Sequence, residues 1–171
     1  MSVYFGGSRS LSGHWLPLVS LVVERVVASG KSVHVGCQKG ADQQVAQSCP
    51  PSSLMVFAVS PALSSCAWHI RVACGLGARV VVGAGGQSAP MPARFLLRSI
   101  AAFQGCSQAI FFAPGSGSLA VARECVRQGL PVFAFGEKPA PVPSVSGQWV
   151  QSAFMGFACW QWQAPSQLSL F

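Results

Sequence analysis

Residues 108–135, QAIFFAPGSGSLAVARECVRQGLPVFAF, contain two predicted strands joined by a small-residue turn and a helix. Gln108–Ala113 is an apolar run typical of a buried strand, and Pro114–Gly117 follows it as a turn. Ser118–Gln128 has helical spacing and is closed by a glycine, after which Pro131–Phe135 predicts the next strand. Because neighbouring parallel strands need a helical crossover, this unit indicates a parallel α/β sheet.

The same alternation runs through the sequence before this unit. Most of the apolar runs are nearly continuous, which is typical of strands buried on both faces. We therefore expect a three-layer, Rossmann-like α/β fold over residues 1–136, a mostly parallel sheet of about six or seven strands with helices on both faces. The predicted strands are Val3–Phe5, Ser32–Val35, Leu54–Val59 and Arg79–Val82, and the predicted helices are Trp15–Ala28, Asp42–Cys49, Ser64–Leu76 and Pro92–Phe103.

The composition changes after Gly136. Lys138–Gly147 is rich in proline and serine and predicts a linker or surface loop. Gln148–Gln163 is aromatic, with Ala158, Trp160 and Trp162 on one strand face. We expect residues 137–163 to be a linker and an aromatic strand or strap that completes the domain, and residues 164–171 to be a flexible tail.

The bulk composition favours one folded cytoplasmic domain. Half of the 171 residues are hydrophobic (51%) and only 9% are charged, so a core forms easily and the poorly charged surface favours a homo-oligomer. The seven irregularly spaced cysteines indicate buried thiols in a reducing compartment rather than disulfides or a metal site. We find no signal peptide, and runs such as Leu54–Leu63 are too short to span a membrane.

The charge points to phosphate as a ligand. The chain carries eleven basic and four acidic residues, a formal charge of +7, and several basic residues lie beside predicted turns. Several strands also end in glycine-rich turns, where backbone N–H groups can approach a phosphate and a following helix adds partial positive charge. Ligands of open parallel sheets bind beyond the carboxyl ends of the strands. We therefore expect these turns to form one anion-binding edge.

Three motifs resemble those of the DprA/Smf family of the SLOG superfamily. Residues 115–124 and 128–134 are similar to that family's SGSLxTAR and QGRPVFAVPG, residues 6–9 to its GSR turn, and residues 36–42 to its GxAxGID turn. The resemblance implies binding of single-stranded DNA or a nucleotide, with a recombinase as a further partner. The phosphate-binding residues that it implies are Gly7, Ser8, Arg9, Lys39, Gly40, Gly115, Ser116, Gly117, Ser118 and Arg123.

A related family leaves an enzymatic alternative open. Pro114–Ser118 resembles the first half of the PGGxGTxxE motif of LOG-type phosphoribohydrolases, but Val121 stands at the place of its glutamate, and Glu124 follows three residues later. The chain has no paired carboxylates, phosphate-loop lysine motif or metal-ligand cluster. We therefore favour a binding protein without catalytic residues, cofactor or metal, and keep a nucleotide sensor, a LOG-like nucleotide hydrolase or a pure adaptor as alternatives.

Several charged residues allow two interpretations. Asp42 would repel phosphate, so we expect it to cap its helix or tether the glycine turn. Arg123 either contacts ligand or pairs with Glu124. Arg94 and Arg98 share a helix face, which is either an extension of the basic groove or a solvated surface.

The last five residues are Gln167-Leu168-Ser169-Leu170-Phe171. They resemble the peptide by which proteins bind the bacterial replication sliding clamp, which implies a bacterial, phage or plasmid-encoded protein. Leu168, Leu170 and Phe171 would fill apolar pockets, and Gln167 would supply amide hydrogen bonds. The alternative is a tail that folds back on the domain.

Overall fold

The computed structural model describes residues 1–60, 62–86 and 88–165, and these residues form one eight-stranded sheet flanked by helices. The strands are β1 (Ser2–Gly7), β2 (Ser32–Val35), β3 (Leu54–Phe57), β4 (Arg79–Val81), β5 (Cys106–Phe112), β6 (Val132–Phe135), β7 (Gln148–Phe154) and β8 (Phe157–Gln163). The helices are α1 (Leu16–Ala28), α2 (Ala41–Ser48), α3 (Trp68–Gly75), α4 (Met91–Phe103) and α5 (Ser116–Arg127).

The strand order is β4-β3-β2-β1-β5-β6-β8-β7. Strands β1 to β6 are all parallel, whereas β8 is antiparallel to β6 and β7 is antiparallel to β8. The Rossmann-like, mostly parallel sheet expected from the sequence is therefore confirmed.

The predicted number of six or seven strands is too low. The aromatic segment forms a hairpin of two strands rather than a single strand or strap, with Phe154 paired to Phe157. Its two-residue turn, Met155-Gly156, has positive φ at both positions (53° and 87°), as tight hairpins require. Glycine at the second position makes this turn possible.

Helices cover both faces of the sheet. Helices α1, α2 and α3 pack on one face, where the stripe Val19, Val22, Val23 and Val26 of α1 is fully buried. Helices α4 and α5 pack on the other face, together with Trp149 and Trp162 of the hairpin. None of the helices in the described part of the chain is long and apolar enough to cross a membrane.

Two helix starts differ from the sequence prediction by two residues or more, and the other three differ by one residue. Helix α3 begins at Trp68 rather than Ser64, because Leu63–Ser65 forms a separate 3-10 turn. Helix α5 begins at Ser116, two residues before the predicted Ser118. This earlier start places Ser116 and Gly117 in the first helical turn, which matters for the site described next.

Candidate functional site

The strand order places a crevice at the carboxyl ends of β1 and β5. From β1 the chain goes to β2 on one side, and from β4 it returns to β5 on the other side of β1. The crossovers that follow β1 and β5 therefore lie on opposite faces of the sheet and leave a gap between them. Such a switch point is the usual ligand-binding place in open α/β sheets.

A cavity of about 480 Å³ occupies this crevice. Its walls are the ends of β1 and β5, the β2–α2 turn, the first half of α4 and the start of α5. The structure brings eight of the ten sequence-predicted phosphate-binding residues to this one cavity: Gly7, Ser8, Arg9, Lys39, Gly115, Ser116, Gly117 and Ser118.

Backbone hydrogen bonds hold the turns after β1, β2 and β5 together. The Ser8 N–H donates to the Phe112 carbonyl (3.0 Å), and the Ala41 N–H donates to the Ser8 carbonyl (3.0 Å). Glycine is required at both contacts. A Cβ on Gly7 would lie 2.3 Å from the Phe112 carbonyl oxygen, and one on Gly40 2.3 Å from that of Ser8, and both glycines have positive φ. Gly40 thus supports the rim of the cavity without lining it.

The first turn of α5 presents backbone donors to the cavity. The N–H groups of Ser116, Gly117 and Ser118 precede any intrahelical acceptor, so they are available for an anion. The Ser118 hydroxyl is already engaged, because it donates to the Gly7 carbonyl at 2.8 Å. The Ser118 hydroxyl therefore holds the start of α5 to the end of β1, and its backbone amide is the donor that an anion would meet.

Asp42 tethers the glycine turn between β2 and α2, which is one of the two roles expected from the sequence. Its Oδ2 accepts from the Gln38 N–H at 3.2 Å and pairs with Arg98 Nη1 at 3.3 Å. Both side chains are almost fully buried, with 10% exposure for Asp42 and 6% for Arg98. Burial raises the pKa of Asp42 and opposes the effect of the Arg98 guanidinium. This buried pair joins α2 to α4 directly beneath the cavity.

Arg98 was not among the ten predicted phosphate-binding residues, although one of its two interpretations placed it in an extension of the basic groove. It lines the cavity, and its Nε is buried and has no hydrogen-bond partner among the described residues. Gly36 makes room for it, since a Cβ there would lie 1.2 Å from Arg98 Nη1. The helical spacing of Arg94 and Arg98 was the available signal, but sequence spacing could not distinguish a buried guanidinium from a solvated one.

Arg9 and Lys39 are the exposed cations of the cavity. The Arg9 guanidinium lies over the Phe95 ring, 5.4 Å from its centroid, which holds the charge beside α4. Arg98 is the third cation and Asp42 the one acid among the residues that line the cavity. The cavity therefore carries an excess of positive charge, which suits an anionic ligand.

Apolar and hydroxyl groups form the remaining wall. Phe95 and Leu96 of α4 face the cavity together with Phe111 of β5. Tyr4 and Ser99 lie at its base, where burial raises the pKa of the Tyr4 phenol. This wall was not predictable from the sequence, because α4 has the same apolar spacing as any helix packed on a sheet. A cavity with both charged and apolar sides fits a nucleotide better than a bare anion.

Arg123 and Glu124 lie away from the cavity. Arg123 Nε donates to Glu124 Oε1 at 2.8 Å. Of the two interpretations of Arg123, the structure shows the pairing with Glu124. Arg127 contacts the same carboxylate at 3.3 Å, and neither Arg123 nor Glu124 lines the cavity. The tail residues Gln167, Leu168, Leu170 and Phe171 lie outside the described residues.

The described residues contain no group of three or more His, Cys, Asp or Glu side chains that could hold a metal ion. His34 is structural, since its Nδ1 donates to the Ala102 carbonyl at 2.8 Å within the core. The cations and first-turn backbone amides that line the cavity can recognise an anion.

The sequence matches no protein-family model and no curated protein. Solved structures share its fold. DNA processing protein A (DprA) from Helicobacter pylori, described for its single-stranded DNA binding mode, superposes with a TM-score of 0.64 at 15% identity over 84% of this chain and 67% of its own. DprA from Streptococcus pneumoniae gives 0.61 at 19% identity over 84% of this chain. The structural-genomics target TM1055 gives 0.58 at 14% identity over 77% of this chain and 71% of its own.

This chain has the Rossmann-like fold found in DprA. It spans about two thirds of the Helicobacter DprA chain and about half (52%) of the Streptococcus one. At these identities the likeness establishes the fold, and function has to be argued from the site.

Proposed function

We propose that this domain binds single-stranded DNA through backbone phosphates at the carboxyl ends of β1, β2 and β5. The observation that carries the proposal is the convergence of three glycine-containing turns on one positively charged cavity. Each turn alone could be an ordinary α/β connection. Backbone hydrogen bonds fix all three relative to one another, which makes them a preorganised surface.

The phosphate contacts divide between charge and backbone. Arg9 and Lys39 supply the exposed positive charges, and the first-turn amides of α5 supply directed donors. Arg98 adds a buried cation at the base. Arg123 is left out of the proposed contact set, because Glu124 already pairs with it. The Helicobacter DprA that shares the fold is described as a single-stranded DNA-binding protein, which supports a strand as ligand by analogy.

A second candidate ligand is a free mononucleotide. The cavity volume of about 480 Å³ falls within the range of small-molecule sites, about 300–1,000 Å³, and it has an apolar wall beside its polar rim. The hydrolase form of this alternative is weaker. Glu124, its sequence-based carboxylate, does not line the cavity, and Asp42, the acid that does, is paired with Arg98.

The ligand is tested by comparing three probes on the full chain. A labelled single strand, a duplex of the same sequence and a mononucleotide are titrated at one salt concentration. The proposal expects the single strand to bind at least about tenfold more tightly than the duplex, with the mononucleotide a weak competitor. Tight, saturable binding of the mononucleotide without oligonucleotide binding would instead establish the second candidate.

We also propose that Gln167–Phe171 binds the replication sliding clamp. The support is the sequence itself, in which three large apolar residues follow a glutamine at the spacing of clamp-binding peptides. The double variant Leu170→Ala/Phe171→Ala should lose clamp binding in a pull-down, whereas Ser169→Ala, which changes a position between the anchors, should keep it. Unchanged binding by the double variant would reject the tail proposal without affecting DNA binding. A recombinase partner and self-association stay predictions of the sequence.

A further inference from the structure

Two cysteines outside the candidate site face each other. Cys37 lies in the β2–α2 turn, and Cys66 lies two residues before α3. The Ala67 N–H donates to the Cys37 carbonyl at 3.0 Å. This hydrogen bond places the backbone of Cys37 beside that of Cys66 and Ala67. Backbone segments joined in this way are about 5 Å apart, inside the window of roughly 4.4–6.8 Å that the α-carbons of a disulfide span.

Both thiols border a second cavity, of about 270 Å³. Cys37 is 2% exposed and Cys66 is 6% exposed, so each reaches its surroundings through this cavity rather than at the open surface. Arg9 and Lys39 also line it, which places positive charge beside the sulfur atoms. A positively charged neighbourhood stabilises a thiolate, the reactive form of cysteine.

Cys37 differs electrostatically from the other cysteines. The neighbouring Cys66 thiol and the nearby Arg98 charge lower the pKa of Cys37 against the effect of burial, and the Gln38 amide approaches its sulfur at 3.5 Å. Burial raises the pKa of the five cysteines outside this pair: Cys49, Cys74, Cys106, Cys125 and Cys159. Cys37 is therefore the more acidic thiol of the pair and the nucleophile, and Cys66 is the proton-bearing partner.

We propose that Cys37 and Cys66 form a dithiol site that a small organic disulfide oxidises to an intramolecular disulfide. The Cys37 thiolate attacks one sulfur of the external disulfide and expels one thiolate, which leaves a mixed disulfide on Cys37. Cys66 then loses its proton to the expelled thiolate and attacks the Cys37 sulfur, releasing the second half of the reagent as a thiolate that takes a proton from water. Counted from the neutral dithiol, the protein loses two electrons and two protons, one of which left Cys37 when it ionised, and the external disulfide becomes two thiols.

The cross-link would join the β2–α2 turn to the segment before α3. Lys39 is two residues from Cys37, so the disulfide fixes the turn that carries one of the exposed cations of the candidate site. The site itself depends on the two sulfurs and their cavity and not on which ligand the first cavity binds.

The test uses the full chain, hydroxyethyl disulfide as oxidant, and mass spectrometry after alkylation of remaining thiols. We expect two of the seven thiols to be lost and a peptide containing Cys37 to be linked to one containing Cys66, with full reversal by dithiothreitol. Cys74→Ser is the matched control, since Cys74 is the nearest other cysteine on α3, and it should form the same link. Retention of all seven thiols, or a link that involves Cys74, would overturn the proposal.

A second readout follows the thiolate. The rate at which iodoacetamide labels Cys37 should rise with pH around a midpoint below the ordinary thiol range, and Cys66→Ala should move that midpoint upward because the neighbouring thiol is lost. Cys66→Ser, which keeps a donor, should move it less and provides a second folded background. In both variants the external disulfide should stay attached to Cys37 as a mixed disulfide. A labelling midpoint of Cys37 that lies in the ordinary thiol range and does not change in Cys66→Ala would contradict the assignment of Cys37 as the nucleophile.

Discussion

Arg98 Nη1 and Asp42 Oδ2 lie 3.3 Å apart beneath the candidate site, and both side chains are almost fully buried. This contact links α4 to α2, and Arg98, whose buried Nε has no hydrogen-bond partner among the described residues, also lines the cavity. The pair therefore supports the site and contributes a cation to it. Its stability contribution is the first quantity to test.

Asp42→Asn should destabilise the fold strongly. The substitution leaves a buried guanidinium without its counter-charge, and breaking one side of a buried pair costs about 3–5 kcal/mol. Glu124→Gln is the control, since it removes the partly exposed pairs with Arg123 and Arg127 and should cost at most about 1 kcal/mol. Urea denaturation of both variants measures the difference. Equal, small losses would mean that the Arg98–Asp42 pair does not hold the two helices.

Gly36→Ala should displace Arg98. The new methyl group would stand 1.2 Å from Arg98 Nη1, so either the guanidinium or the backbone has to move. We expect a loss of about 2–4 kcal/mol in the free energy of unfolding, because overpacking and a disturbed buried ion pair act together. Gly13→Ala, at a position with no atom within 4 Å, should change stability little. A well-folded, fully stable Gly36→Ala protein would show that this close packing is wrong.

Gly117→Ala should separate stability from ligand binding. A Cβ at Gly117 meets no protein atom within 4 Å, so alanine should stabilise α5 by about 0.5–1 kcal/mol. The same methyl group stands where a phosphate would approach the first turn, so oligonucleotide affinity should fall about tenfold. Gly75→Ala in α3, also without nearby atoms, should give a comparable stability gain and leave affinity unchanged. Unaltered affinity in Gly117→Ala would remove α5 from the proposed interface.

Acidification should destabilise the fold through His34. Burial lowers the pKa of His34 below its ordinary value of 6.5, with Arg79 adding to the effect and the hydrogen bond to Ala102 opposing it. Below pH 6.5 His34 takes up a proton in the unfolded chain more readily than in the folded one. The free energy of unfolding is therefore unaffected by protonation of His34 above pH 6.5 and decreases as the pH falls below it. His34→Asn should flatten the decline between pH 7 and 5, and the exposed His14→Asn should not. Parallel stability curves for wild type and His34→Asn would contradict this assignment.

The local parts of the fold and site were predictable from the sequence, and the long-range contacts were not. Glycine turns after apolar runs predicted the ends of β1, β2 and β5, and parallel pairing brought eight predicted residues together. The Arg98–Asp42 pair joins residues 56 positions apart, a separation that carries no periodic signal. Arg123 and Arg98 are both helical arginines in a basic chain. Only the packing of α4 over Gly36 decides which one is buried beside the cavity.

The aromatic segment shows the same limit. Its alternation predicted strand structure, but Phe154 and Phe157 had to be recognised as partners before a hairpin could be drawn. Met155 at positive φ concealed the turn, because methionine rarely adopts that conformation.

The salt dependence of oligonucleotide binding tests the central claim most directly. If Arg9 and Lys39 contact phosphates, log affinity for a single strand should fall linearly with log salt, and Arg9→Ala and Lys39→Ala should each reduce the slope by about 0.7. Lys31→Ala, which removes a cation at the opposite, amino end of β2, should leave the slope unchanged. An affinity that does not depend on salt, or a slope that neither rim variant alters, would contradict the account.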